Sequence, residues 1–116
     1  MSSVADCLFC KISAGDISAD VIIENEFALA FRDIDPKAPT HALVVPRSHF
    51  ADVEELTASN PNLAGAVLAL ASAVAKLEGL SNGYRIVTNT GEDGGQSVAH
   101  VHFHVLGGRS LSWPPG

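Results

Sequence analysis

The chain has 116 residues, of which 47% are hydrophobic and 17% charged, a composition typical of a folded protein with a modest core. Its formal net charge is −6 and its seven basic residues are dispersed, which argues against binding to nucleic acid but not against binding a single nucleotide. No segment approaches the ~18 uninterrupted apolar residues of a membrane span, and the N-terminus lacks the pattern of a signal peptide. We therefore expect a single cytoplasmic domain over residues 1–116, without a membrane or nucleic acid partner.

The first half of the chain predicts one short helix and three strands. Residues 6–14 favour a helix, with Asp6 as its N-cap. Two short apolar runs within 20–32 predict a β-hairpin. Residues 33–39 hold two prolines and two aspartates and predict a loop, and residues 41–46 predict a third strand that ends at a proline.

The second half predicts the longest helix followed by two strands. Asn60 and Pro61 suit the N-cap and first positions of a helix that ends at Gly79. Its apolar residues recur every three or four positions, and its many alanines reflect either helix propensity or a surface that another helix approaches closely. Residues 83–90 predict a strand and 91–97 a loop. This order of elements indicates an α+β fold with an antiparallel sheet of about five strands.

Histidines alternate with hydrophobic residues near the C-terminus, at His100, His102 and His104. This alternation predicts a strand that points the three imidazoles to one face, while Val101 and Phe103 enter a core. A solvated polar face is the alternative, but such a face would normally mix Thr, Lys and Glu. Three imidazoles on one face favour metal binding, acid–base chemistry or nucleophilic chemistry.

The sequence around these histidines resembles the histidine triad family. Residues 100–106 match the family signature, in which three histidines alternate with hydrophobic residues. The match extends upstream to further stretches, at 94–98, Asn89, 38–41 and 31–34. Residues 107–109 and the ending Trp-Pro-Pro-Gly resemble the Hint branch, which contains nucleoside phosphoramidases. The resemblance covers nearly the whole chain, with Arg32 standing where Hint proteins carry histidine.

The resemblance implies a HIT-like fold and an enzyme that cleaves at the α-phosphorus of a nucleotide. The favoured substrates are purine nucleoside 5′-monophosphoramidates, whose P–N bond is broken through a nucleotidyl-histidine intermediate on His102. The backbone carbonyl of His100 would fix the tautomer of His102. His104 would donate to a phosphate oxygen, Ser97 would supply a hydroxyl group, and His41 would contact the triad from the neighbouring strand.

The resemblance also implies a nucleotide site. Asp33 would accept hydrogen bonds from both ribose hydroxyls. An apolar slot for the base would be formed by Ile17, Phe31, Ile34 and Leu43. The phosphate would lie near Asn89, Gly95, Gln96 and Ser97, where the glycine-rich loop brings backbone amides close to it. Trp113 would help to shape the preference for the leaving group.

A second group of residues suggests a metal site. Cys7 and Cys10 are spaced to lie on one face of a helix, and two cysteines in an intracellular chain favour a metal or redox role over a structural disulfide. His49 and His100 could complete a tetrahedral zinc site that is structural rather than catalytic, as in some histidine triad proteins. The alternative is a pair of buried free thiols. Catalysis itself requires no cofactor in this interpretation.

The sequence also leaves two alternative functions open, and it suggests a homodimer. A Fhit-like hydrolase of dinucleoside polyphosphates would use the same triad, although the Hint-type tail argues against it. A nucleotide-binding or scaffold module with little turnover belongs to a different functional class. The resemblance further implies a homodimer that pairs the long helices across a two-fold axis.

Overall fold

The computed structural model describes residues 4–116, which form three helices and five strands. In chain order these are α1 (Leu8–Ala14), β1 (Val21–Glu24), β2 (Ala28–Arg32), β3 (Thr40–Pro46), α2 (Val53–Ser59), α3 (Pro61–Leu77), β4 (Tyr84–Thr88) and β5 (Phe103–Gly107). Within these residues, no helix is long and apolar enough to cross a membrane.

The five strands form one antiparallel sheet in the order β1-β2-β3-β5-β4. β3 is central and buried along its whole length, because both faces of the sheet are covered there. It pairs with β5 so that Leu43 lies opposite His104. The α+β fold and the five-stranded antiparallel sheet predicted from the sequence are therefore confirmed.

Each face of the sheet has its own apolar cluster, because side chains alternate along a strand. The larger cluster lies under α2 and α3 and contains Val101, Phe103 and Val105. Alanines of β2 and β3 face α3 and let the helix approach the sheet closely. The smaller cluster, on the opposite face, joins Phe9 of α1 to β2 and β3. This second face carries the histidines.

Three details differ from the sequence-based predictions. The N-cap of α1 is Cys7 rather than Asp6, since the Cys7 sulfur accepts a hydrogen bond from the Cys10 amide at 3.4 Å. The short helix α2 was not predicted, although Asp52 accepts from the amide of Glu55 in an Asp-x-x-Glu pattern that signals a helix start. The last strand begins at Phe103, so two of the three histidines precede it.

Candidate active site

A cleft of about 820 Å³ lies between α1, the β1–β2 hairpin and the histidine segment. Of the residues predicted for the site, its wall includes Ile17, Phe31, Asp33, Ile34, Leu43, Ser97, His102 and His104. Leu8, Phe9 and Ile12 of α1 also line it, and the sequence analysis did not assign them to the site. Most of the wall is apolar, and its polar residues include Ser97, His102 and His104. The cleft can therefore hold a ligand with both an apolar and a polar part.

The backbone fixes the tautomer of His102. Its Nδ1 lies 2.8 Å from the backbone oxygen of His100, which can only accept, so Nδ1 carries the proton. In the neutral ring, Nε2 then keeps its lone pair. The side chain is buried, and its ring centroid lies 5.1 Å from that of His104. His102 thus combines a tautomer suited to attack through Nε2 with a position in the wall of the cleft.

A second chain of hydrogen bonds fixes the tautomers of His41 and His104. The backbone amide of Lys37 donates to Nδ1 of His41 at 3.0 Å, so the proton of that neutral ring is on Nε2. Nε2 of His41 lies 2.9 Å from Nδ1 of His104 and donates to it. The proton of His104 is therefore on Nε2, where it can be donated to a ligand. His41 is buried and does not line the cleft, so it acts on the site through His104.

Burial favours the neutral form of the His41 and His104 rings. Desolvation, with smaller contributions from His102 and His41, lowers the pKa of His104 to about 4. Desolvation also lowers the pKa of His41, although the nearby carboxylate of Asp33 opposes this shift. At neutral pH His104 is consequently an uncharged hydrogen-bond donor, and its tautomer is the one that the Lys37 amide imposes.

Asp33 places a carboxylate at the edge of the cleft. Its Oδ1 accepts the amide of Asp35 at 2.8 Å, and its Oδ2 lies 3.4 Å from Nε2 of His41. A carboxylate has about four lone-pair sites, so it retains acceptors for further donors. Ile34 next to it is fully exposed, and the neighbouring Arg32 is bound by Glu78 through two hydrogen bonds of 2.6 and 3.0 Å. This ion pair holds Arg32 at the rim of the cleft.

The glycine-rich loop is built differently from the prediction. The amides of Gly95 and Gln96 donate within the loop, to the carbonyls of Glu92 and Gly91, so they are not free for a phosphate. The Asn89 side chain donates to the carbonyl of Gly94 at 2.6 Å. Gly94 must be a glycine in this loop, because a Cβ atom there would overlap the backbone of Thr90.

The Gln96 side chain also braces this loop. It accepts from the amide of Gly91 and donates to the carbonyls of Ala51 and Val98. Asn89, Gly95 and Gln96 therefore hold the loop in shape, and Ser97 is the loop residue that reaches the cleft. Trp113 is 81% exposed and lies outside the cleft wall.

Cys7, Cys10, His49 and His100 form a compact group, called here the Cys/His cluster. Their four donor atoms all lie within 4.8 Å of one another. The Cys7 sulfur is 3.2 Å from Nδ1 of His100, and the Cys10 sulfur is 3.5 Å from Nδ1 of both histidines. In a tetrahedral zinc site, sulfur and nitrogen ligands are about 3.5 Å apart. The donor set and its spacing therefore fit zinc.

The surroundings of the cluster also suit a metal. Nε2 of His100 lies 2.9 Å from the carbonyl of Pro46 and must carry the proton, which leaves the Nδ1 lone pair facing the thiols. Burial lowers the pKa of His100 to about 4, so the ring is neutral. Asp33, His41 and His104 are also close together, but both nitrogens of His41 are occupied by hydrogen bonding, and the ring has no free lone pair for a metal.

The chain is similar to known proteins over almost its whole length. The HIT domain model matches residues 14–111. An uncharacterized HIT-like protein of Synechococcus elongatus is 50% identical over 96% of this chain and 97% of its own. A HIT family hydrolase from Legionella pneumophila is 47% identical, with a TM-score of 0.92 over 96% of this chain and 100% of that one. A histidine triad protein from Clostridium difficile is 35% identical, with the same TM-score over 97% and 98%.

The structure is thus an α+β protein with the fold of the HIT family hydrolases and a histidine-lined cleft. The chain belongs to the HIT family. A histidine triad nucleotide-binding protein from Candida albicans is 30% identical, with a TM-score of 0.81 over 94% of this chain and 83% of that one.

Proposed function

We propose that the protein is a Hint-type nucleoside phosphoramidase, which hydrolyses the P–N bond of purine nucleoside 5′-monophosphoramidates. The observation that carries this proposal is the contact between Nδ1 of His102 and the His100 carbonyl, which places the proton on Nδ1 and leaves Nε2 as the attacking nitrogen. The Trp-Pro-Pro-Gly ending, which resembles the Hint branch, favours phosphoramidates over dinucleoside polyphosphates. The cytoplasmic location predicted above stays a prediction.

The reaction has two steps in this proposal. Nε2 of His102 attacks the α-phosphorus, a phosphorus–nitrogen bond forms with the imidazole, and the bond from phosphorus to the amine breaks as the departing nitrogen takes a proton from solvent. Water then attacks the same phosphorus, the bond from phosphorus to Nε2 breaks, and the nucleoside monophosphate is released. The imidazole leaves in its neutral form, and the proton lost by the water returns to solvent. The Nε2 proton of His104 and the Ser97 hydroxyl group donate to phosphate oxygens as charge develops on them. Asp33 accepts from the ribose hydroxyls, and the apolar wall of the cleft holds the base.

Substrate preference tests this function. We expect release of AMP from adenosine 5′-monophosphoramidate, and at least about tenfold lower kcat/KM with a diadenosine polyphosphate, because the favoured leaving group is an amine. Liquid chromatography of the products measures both rates. The reverse preference would favour the Fhit-like hydrolase instead. AMP binding without turnover of either substrate would favour a nucleotide-binding module.

We further propose that the Cys/His cluster binds one structural zinc ion. Cys7 and Cys10 would hold it from α1, and His49 and His100 from the segments beside β3 and β5. When bound, the metal would supply a link between these segments and no chemistry at phosphorus. The neutral Nδ1 of His100 and the short S–N distances support this assignment.

The homodimer remains a proposal with structural support. The outer face of α3 carries small residues around Leu68, which is 42% exposed, and β4 is an edge strand of the sheet. Arg85 of β4 donates to the carbonyl of Ser112, and the neighbouring Trp113 is exposed and outside the wall of its own cleft. In a two-fold dimer, the tail would extend toward the partner's cleft.

We expect light scattering at micromolar concentration to give twice the 12.1 kDa mass of the chain. Leu68→Asp should shift the protein toward monomer, since it buries a charge in the interface. Leu8→Asp is the matched control, because Leu8 is 44% exposed on α1, on the face of the sheet away from α3, and its replacement should leave the mass unchanged. A monomeric wild type would contradict the dimer, and unchanged substrate preference after deletion of residues 112–116 would contradict the role of the tail.

A further inference from the structure

Helix α1 and its N-cap Cys7 contribute to two sites. Cys7 and Cys10 belong to the Cys/His cluster, whereas Leu8, Phe9 and Ile12 line the cleft. The two sets alternate within one short stretch of chain. Any displacement of α1 at the cluster must therefore also displace part of the wall of the cleft.

Phe9 makes the direct connection between the two sites. Its side chain is buried, and its ring centroid lies 5.8 Å from that of His100 and 5.1 Å from that of His102. Both contacts are edge-to-face, the favourable geometry for aromatic pairs. The Phe9 ring also contacts Phe31 in the wall of the cleft, with 5.7 Å between the ring centroids. One ring thus contacts a cluster histidine, the proposed nucleophile and the base slot.

Within residues 4–116, few other hydrogen bonds hold α1 in place. The helix has only seven residues, too short to be stable without tertiary contacts. Its N-cap is the Cys7 sulfur, which belongs to the cluster. At its other end, Arg47 donates to the carbonyl and hydroxyl groups of Ser13, at 3.1 and 3.3 Å. Apart from hydrogen bonds between Val4 and the two cysteines, the position of the first turn of α1 therefore depends on the cluster and on Phe9.

We propose that Phe9 is a positioning residue that couples the Cys/His cluster to the cleft, so that zinc and nucleotide strengthen each other's binding. Zinc holds the first turn of α1, and Phe9 then keeps the His102 ring and the base slot in the arrangement that binds nucleotide. A nucleotide in the cleft would in turn hold α1 where its two thiols meet the histidines. This inference rests on the proposed nucleotide site and zinc site.

Calorimetric titration with AMP tests the coupling. We expect AMP to bind at least about fivefold more weakly to zinc-depleted protein than to zinc-loaded protein. A competing zinc chelator should show that saturating AMP raises zinc affinity by the same factor, since coupling is reciprocal. Equal AMP affinity in the two forms would overturn the inference while leaving the proposed function intact. No AMP binding to zinc-loaded wild type would contradict the proposed function itself, and the inference with it.

Phe9→Leu keeps the test valid even where zinc depletion unfolds the protein. The variant retains all four cluster residues, so it should still bind about one zinc per chain by elemental analysis. It should bind AMP at least about fivefold more weakly than wild type, and AMP should no longer alter its zinc affinity. Phe27→Leu makes the same chemical change between β1 and β2, outside the wall of the cleft, and should match wild type. Wild-type AMP affinity or full coupling in Phe9→Leu would overturn the inference.

Discussion

His102→Ala should lower kcat/KM for adenosine 5′-monophosphoramidate by at least about 10³-fold, because the variant lacks the nitrogen that forms the covalent intermediate. Rapid acid quenching of wild type should trap a nucleotidyl adduct, and mass spectrometry should locate it on the peptide that contains His102. The same procedure should find no adduct in the variant.

His102→Asn separates this loss of chemistry from a loss of structure. An asparagine amide can still donate to the His100 carbonyl, which His102 contacts at 2.8 Å, but it is not a nucleophile. We expect near wild-type melting temperature and AMP affinity in this variant, with no adduct. An adduct on another residue, or turnover that survives in both variants, would contradict the proposed role of His102.

The sequence predicted the arrangement of the site better than its local structure. The alternation of His100, Val101 and His102 correctly separated a core face from a histidine face, although β5 begins only at Phe103. Side-chain alternation requires extended backbone but not a hydrogen-bonded partner, which explains how the faces could be right while the strand boundary was wrong. The hairpin, the central strand and the Asn60 cap of α3 were predicted from local signals and are confirmed.

Contacts between distant segments could not be predicted in the same way. The amide of Lys37 that fixes the His41 tautomer is a backbone group, and no residue type identifies it in the sequence. Phe9 looked like an ordinary apolar residue between two cysteines until the structure placed its ring against His102. Asn89 and Gln96 matched the family pattern, but only the structure shows that their side chains brace the loop.

Replacing both cysteines should change zinc content and thermal stability strongly. Cys7→Ser/Cys10→Ser should reduce zinc content from about one per chain to none, because the hard serine oxygens replace both soft thiolate ligands. The melting temperature should fall by about 10 °C or more, since a structural metal stabilises the folded state that contains its site. Elemental analysis and thermal unfolding measure these two changes.

Low pH should weaken zinc binding at the same site, because a thiol must lose its proton before it binds zinc. Burial raises the pKa of the Cys10 thiol, so protons compete with the metal more strongly there than at an ordinary cysteine. Zinc affinity should therefore fall as the pH is lowered. Cys7→Ala/Cys10→Ala separates a zinc site from a pair of buried free thiols. If the thiols bind no metal, the zinc content is zero in wild type and in this variant alike. Metal-free wild type, purified without chelator and with both thiols reduced, would mean that Cys7 and Cys10 only pack against their neighbours.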